Sequence, residues 1–260
     1  MAKQVRVRRD RPSGLTLALA LAVTMLAVWL VTLSAPKPSE GEDALARRVT
    51  RELTFEGVTA SFTSLGEYPD APQAHIAAAT LAERGAAGYV RASGSRFVVL
   101  GACYSSDDDA RRVAQRLSAD EQLRTDVLTL SAPGATLRVT AAESDCAAIA
   151  DADAALRAQL DQLSQIALQL DRGEIEPKQA RTLAAVARSE LTAAREALSN
   201  VAGAAVNPVC IGLTDQLDAL AATLGEIARG SDAAAALAGR LRCAHVSATL
   251  SLIDFLSALA

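Results

Sequence analysis

From Leu15 to Leu33 the chain reads LTLALALAVTMLAVWLVTL, without a single charge. Roughly 20 apolar residues are what a helix needs to cross the hydrocarbon core of a bilayer. Such a segment constrains the rest of the chain, because the residues before it and those after it then lie on opposite sides of a membrane. Lys3, Arg6, Arg8, Arg9 and Arg11 precede it, against Asp10 alone. Cationic flanks stay in the cytoplasm. Residues 1–14 are therefore expected to be a cytoplasmic basic segment, 15–33 a single transmembrane helix, and the remainder extracytoplasmic. Trp29 lies near the far end of the run, where an indole reaches the interface. A cleaved signal peptide shares the basic and apolar order, but its apolar core usually spans only about 7–15 residues. Its best small-residue site, after Ala35, would place Leu33 at the −3 position and Pro36 directly after the cut. The uncleaved anchor is the better reading.

SAPKPSEGED, residues 34–43, is rich in Pro, Ser, Gly and charge, and a linker is expected over 34–52, with ALARRVTREL as a helical turn or two. From residue 53 the texture changes. LTFEGVTASF alternates, with Val58, Ala60 and Phe62 on one side and Thr59 and Ser61 on the other, as in a half-buried strand. APQAHIAAATLAERG reads as a helix closed by Gly85, and AGYVRAS and RFVVLGA read as strands joined through Gly94. Ser105 and Ser106 then offer caps to a helix with Asp107, Asp108 and Asp109 in its first turn. TDVLTL and ATLRVTA close the region as strands.

VTASF, a helix and AGYVRA form one strand–helix–strand unit. FVVLGACYSS, a helix and DVLTL repeat it about 42 residues later, with Phe62 laid on Tyr104. Two such units sharing one sheet predict an α+β, ferredoxin-like split βαβ domain over 53–142, with one sheet face left uncovered. Residues 143–260 carry no strand signal. Helices are expected over 145–172, 177–202, 208–229 and 232–259, punctuated by Ser144, Gly173, Pro177, Asn207-Pro208 and Gly230-Ser231. Leu156, Leu160, Leu163 and Ile166, like Leu213, Leu217, Leu220 and Leu224, form helical stripes. Short loops favour an antiparallel four-helix bundle, although a helical hairpin pairing with a second chain would share the pattern. This block holds nine Arg/Lys against fifteen Asp/Glu, so its exterior is acidic.

The anchor, the linker and the doubled unit together resemble the SPOR family, whose small domains bind peptidoglycan at division or sporulation septa. In that family the first strand ends Gln-x-Gly-Ser-Phe. Here Val58-Thr59-Ala60-Ser61-Phe62 keeps Ser61 and Phe62, while Val58 and Ala60 replace the glutamine and glycine. The second half, LGACYSSDDDARRVAQRL, matches the family's apolar strand, serine, acidic turn and alanine-rich helix, with Gly101 one place early. The resemblance covers 55–141, about a third of the chain, and implies that the exposed sheet face holds peptidoglycan glycan strands. The candidate contacts on that face are Thr59, Ser61, Tyr89, Arg91 and Arg96. Their hydroxyls and guanidinium groups can donate to sugar oxygens, and Tyr89 can stack on a pyranose.

No catalytic constellation is apparent. The only histidines are His75 and His245, too few and too far apart in sequence for a zinc site. Cys243 and His245, two apart on a helix, face different ways. The run Asp107 to Asp109 lacks the alternate spacing of a calcium loop. No cofactor and no metal are expected, and the mild net charge of −4 gives no reason to expect nucleic acid. Cys103, Cys146, Cys210 and Cys243 show no CxxC or zinc spacing and read mainly as small buried hydrophobes, with one Cys146–Cys210 bridge as the alternative. Two functions are left open. One is a membrane-anchored peptidoglycan-binding protein whose helices recruit a protein partner. The other is an envelope adaptor in which the last helix, with Leu250, Ile253 and Phe255, covers the sheet.

Overall fold

The structure is a computed structural model that describes residues 48–121 and 123–260. The expected cytoplasmic segment, transmembrane helix and linker up to residue 47 lie outside the described residues. Among the described residues no helix is long and apolar enough to cross a membrane.

The first element is a strand, β1 (Val49–Phe55), where the sequence suggests linker and helical turns. It pairs antiparallel with β6 (Ala135–Ala141) as a two-stranded ribbon. The hydroxyls of Thr50 and Thr140 meet at 2.9 Å, and those of Thr54 and Thr136 at 3.4 Å. Cross-strand Thr pairs of this kind favour β structure over helix. The segment that reads as one strand, LTFEGVTASF, is thus two, separated by Glu56 and Gly57.

β2 (Val58–Tyr68), β3 (Tyr89–Ser93), β4 (Arg96–Tyr104) and β5 (Asp126–Ala132) form a four-stranded sheet in the order β3-β4-β2-β5, every pair antiparallel. Helix α1 (Ala71–Glu83) follows β2 and helix α2 (Asp107–Glu121) follows β4. Asp70 caps α1 by accepting from the backbone N–H of Gln73 at 2.9 Å, and Ser106 caps α2 through the N–H of Asp109 at 3.3 Å. Both helices lie on one face of the sheet, where Leu65, Val90, Phe97 and Val99 pack with Ala74, Ala78, Leu81 and Leu117. Gly88 makes the return from α1 to β3 possible. Its φ is +58°, and a Cβ there would stand 2.5 Å from the Ala78 carbonyl oxygen.

The remaining helices are α3 (Glu143–Asp171), α4 (Pro177–Ser199), α5 (Pro208–Arg229) and α6 (Ala234–Leu259). Each packs on its neighbour in sequence, and α6 closes the ring on α3. Their apolar stripes bury Leu156, Leu163, Leu213, Leu217 and Leu224 completely or nearly so. Pro177 opens α4 and Gly173, at φ +65°, closes α3 just past its C-cap, as the sequence indicates, but the N-cap of α3 is Ala142, not Ser144. Asn207 caps α5, accepting from Val209 N–H at 2.9 Å and Cys210 N–H at 3.4 Å. Asn207→Ala should lower stability by about 1 kcal/mol in a urea titration; an unchanged midpoint would show that water replaces the cap at no cost.

Only Ala142 separates β6 from α3, so the expected boundary between 142 and 143 carries no linker. The described residues form one compact unit. The Phe55 ring on β1 meets Phe255 on α6 edge-to-face, centroids 6.2 Å apart at 82°. Arg157 on α3 holds Asp153 at 2.8 Å and donates to the Glu56 carbonyl oxygen at 2.7 Å. The four cysteines are free thiols, so the Cys146–Cys210 bridge is not formed.

Candidate functional site: the second face of the sheet

Strand pairing fixes which side chains share the face opposite α1 and α2. Phe62 sits across from Cys103 and Leu128, Glu67 and Arg91 across from Val98, Tyr89 across from Leu100, and Ser93 across from Arg96. Directly paired residues point the same way. The face therefore runs from an apolar half, with Ala60, Phe62, Leu100 and Cys103, to a polar end with Arg91, Ser93 and Arg96.

The apolar half is not open. Helix α6 crosses it and touches all four strands, and Phe62, Leu100 and Cys103 belong to the same core as the bundle. Gly239 lets α6 press against the C-terminal end of α1 and the turn that follows it. A Cβ there would stand 2.5 Å from the Ala82 carbonyl oxygen and 2.8 Å from that of Ala86. Three residues on, Arg242 donates to the Gly85 carbonyl oxygen and pairs with Asp171 at the end of α3. One arginine thus ties α1, α3 and α6 together.

This arrangement reverses the expected facing of β2. The alternation places Val58, Ala60 and Phe62 beneath α1 and α2, but they pack against the bundle. It points Ser61 away from those helices, and instead Ser61 lies 2% exposed on their side. Its hydroxyl shares a hydrogen bond with Thr129 at 3.0 Å, and both reach Asp107 at the start of α2, at 3.4 and 3.1 Å. Ser61 is a structural residue of the helix-covered face. The physical reason is that alternation identifies the more apolar side of a strand, not the element that will cover it, and here both sides are covered.

The other candidates separate. Thr59, exposed on the same side as Ser61, lies at the rim of a different cleft. Tyr89 is half-buried beside Ala244, Ala248 and Gln216, in a cleft of about 250 Å³ between α5 and α6. Arg91 is half-buried and Arg96 exposed, the latter 3.4 Å from Glu67. Arg96 lines a shallow groove of about 380 Å³ with Ser64, Ser93 and Arg124, floored by Val98 and Leu128. This groove is the part of the face that α6 does not reach. It carries hydrogen-bond donors from Ser93, Arg96 and Arg124, and acceptors from Glu67 and Asp126, over an apolar floor. Arg96 is balanced there by Glu67, and the groove presents donors and acceptors together.

Sequence reasoning missed Gly239, Arg242 and Thr249. The available signal was the apolarity of α6 round most of its circumference, from Leu237 through Leu241, Val246, Leu250, Leu252 and Ile253 to Leu256. A helix of that kind is enclosed, not laid on a surface.

Cys103 is enclosed in the core. Burial pushes its thiol up to about 12, with the Thr249 hydroxyl only partly opposing the rise. At pH 8, Ellman's reagent should leave Cys103 untouched in the folded chain and label it once denaturant is added; rapid labelling of the native protein would contradict this burial.

No protein family, no curated protein and no solved structure matches the chain.

Proposed function

We propose that the chain is a non-catalytic adaptor of the cell envelope, anchored through residues 15–33, whose SPOR-like half keeps its second sheet face under its own C-terminal helix. The observation that carries this reading is α6 lying across Phe62, Leu100 and Cys103, the part of the face that would otherwise be free for a ligand. The strand order β3-β4-β2-β5, with a helix after the first and third strands, supports a split βαβ, ferredoxin-like assignment for that half. With the middle of the face occupied from within, the surface left for a protein partner is the acidic outside of the bundle.

A second reading rests on the groove at the polar end. Ser93 and Arg96 line it, the half-buried Arg91 shares their face beside Val98, and together they favour contact with peptidoglycan glycan strands at a division or sporulation septum. The two readings part in one experiment. The full chain, in a non-ionic detergent, is incubated with intact and with amidase-stripped sacculi, beside an Arg91→Ala/Arg96→Ala variant. The adaptor reading expects no retention on either preparation. Retention that rises on stripped sacculi and falls in the variant would replace it with the glycan reading.

A further inference from the structure

At the opposite end of the sheet from Arg96, the ends of β2 and β4 meet α3 and α6 around an open cleft of about 500 Å³. Junctions between packed layers of this size are common ligand sites. The charges around it are unequal. Glu56, Asp109 and Asp161 line it against Arg157 alone. Arg157 is already committed, to the Asp153 carboxylate and the Glu56 carbonyl oxygen. An anionic ligand would find no unspent cation among the described residues of the cleft.

Acceptors, by contrast, are left over. Among the described residues Asp161 has no ion pair, and the hydroxyls of Thr59 and Ser164 have no hydrogen-bond partner. Thr249 is 4% exposed, and its hydroxyl has no partner there beyond the weakly bonding thiol of Cys103. His245 is half-buried and held neutral, so it brings an acceptor nitrogen and no positive charge. Val58, half-buried, and the edge of Leu160 provide the accessible apolar wall beside these groups.

We propose that this cleft binds the ammonium end of a small aliphatic amine, its charge paired to Asp161 and its methylenes lying on Val58 and the edge of Leu160. An ammonium carries three donors and no acceptor, which is the complement of what the cleft leaves unmet. Pairing it to a carboxylate at the rim keeps the cost of stripping water from the cation small. This inference is independent of either reading of the sheet face.

The test is calorimetric titration of the full chain, in a non-ionic detergent, with 1,5-diaminopentane, 1,5-pentanediol and glutarate. The diamine should bind saturably and more weakly as salt rises, and the isosteric diol and diacid should not bind. Asp161→Asn should weaken the diamine by about tenfold or more, whereas Asp151→Asn, an exposed acid elsewhere on α3, should leave it unchanged. In the wild-type chain the imidazole resonances of His245, and not those of His75, should shift along the same saturation curve. The proposal is overturned if the diol binds as well as the diamine, if Asp161→Asn keeps full affinity, or if the His245 resonances stay still while the diamine saturates. It is equally overturned if no saturation is seen up to ~50 mM, the regime of negligible affinity.

Discussion

Phe62→Ala is expected to destabilise the protein by about 3–5 kcal/mol, the usual cost of emptying a fully buried aromatic site. Phe62 has no exposed surface, and it stands between Cys103 and Leu128 with the bundle core against it. The magnitude matters less than where the loss is felt. All three tyrosines, Tyr68, Tyr89 and Tyr104, lie in the sheet half, so their fluorescence follows the sheet. Ellipticity at 222 nm is dominated by α3 to α6. In urea both signals should fall at one midpoint, and Phe62→Ala should move both by the same amount. A variant that loses its tyrosine signal early while the helices melt where they did before would show two independent domains. It would also remove the argument that α6 permanently occupies the sheet.

Local signals of the fold are readable where the chain's own neighbours decide the structure. Pro177, Asn207-Pro208 and Gly173 act within a few residues, and each falls where its backbone chemistry requires. The repeated strand–helix–strand pattern likewise places β2 to β5 and the helices α1 and α2. The features that are not readable depend on partners distant in sequence. Val49–Phe55 becomes a strand because Ala135–Ala141 lies beside it, some 80 residues on, and its Thr side chains have hydroxyls to meet there. Ser61 turns inward because Asp107 and Thr129 await it. Of the candidate site, only Arg91 and Arg96 remain near one another on the accessible end of the face. The rest of that face is claimed by α6 through its apolar residues, while Gly239 fits the same helix against the end of α1.

His245 should make the fold acid-sensitive above the range in which carboxylates titrate. The unfolded imidazole takes up a proton near its ordinary 6.5, whereas burial holds the folded one down to about 4, with Asp161 on α3 pulling weakly the other way. Between those values the unfolded state binds the extra proton, so stability rises with pH and is lost as pH falls from about 6.5 towards 4. The full shift corresponds to about 3 kcal/mol. His245→Gln keeps a polar side chain beside Cys103 and Asp161 but cannot titrate. Its stability at pH 7 should lie close to that of the wild type, and its urea midpoint should then decline less on going to pH 4.5. Ion pairs such as Asp153 with Arg157 and Asp171 with Arg242 are common to both proteins and cancel in the comparison. Parallel declines would mean that the imidazole is solvated in the folded chain, and that the cleft beside Asp161 is wetter and more open than its walls of Val58 and Leu160 require.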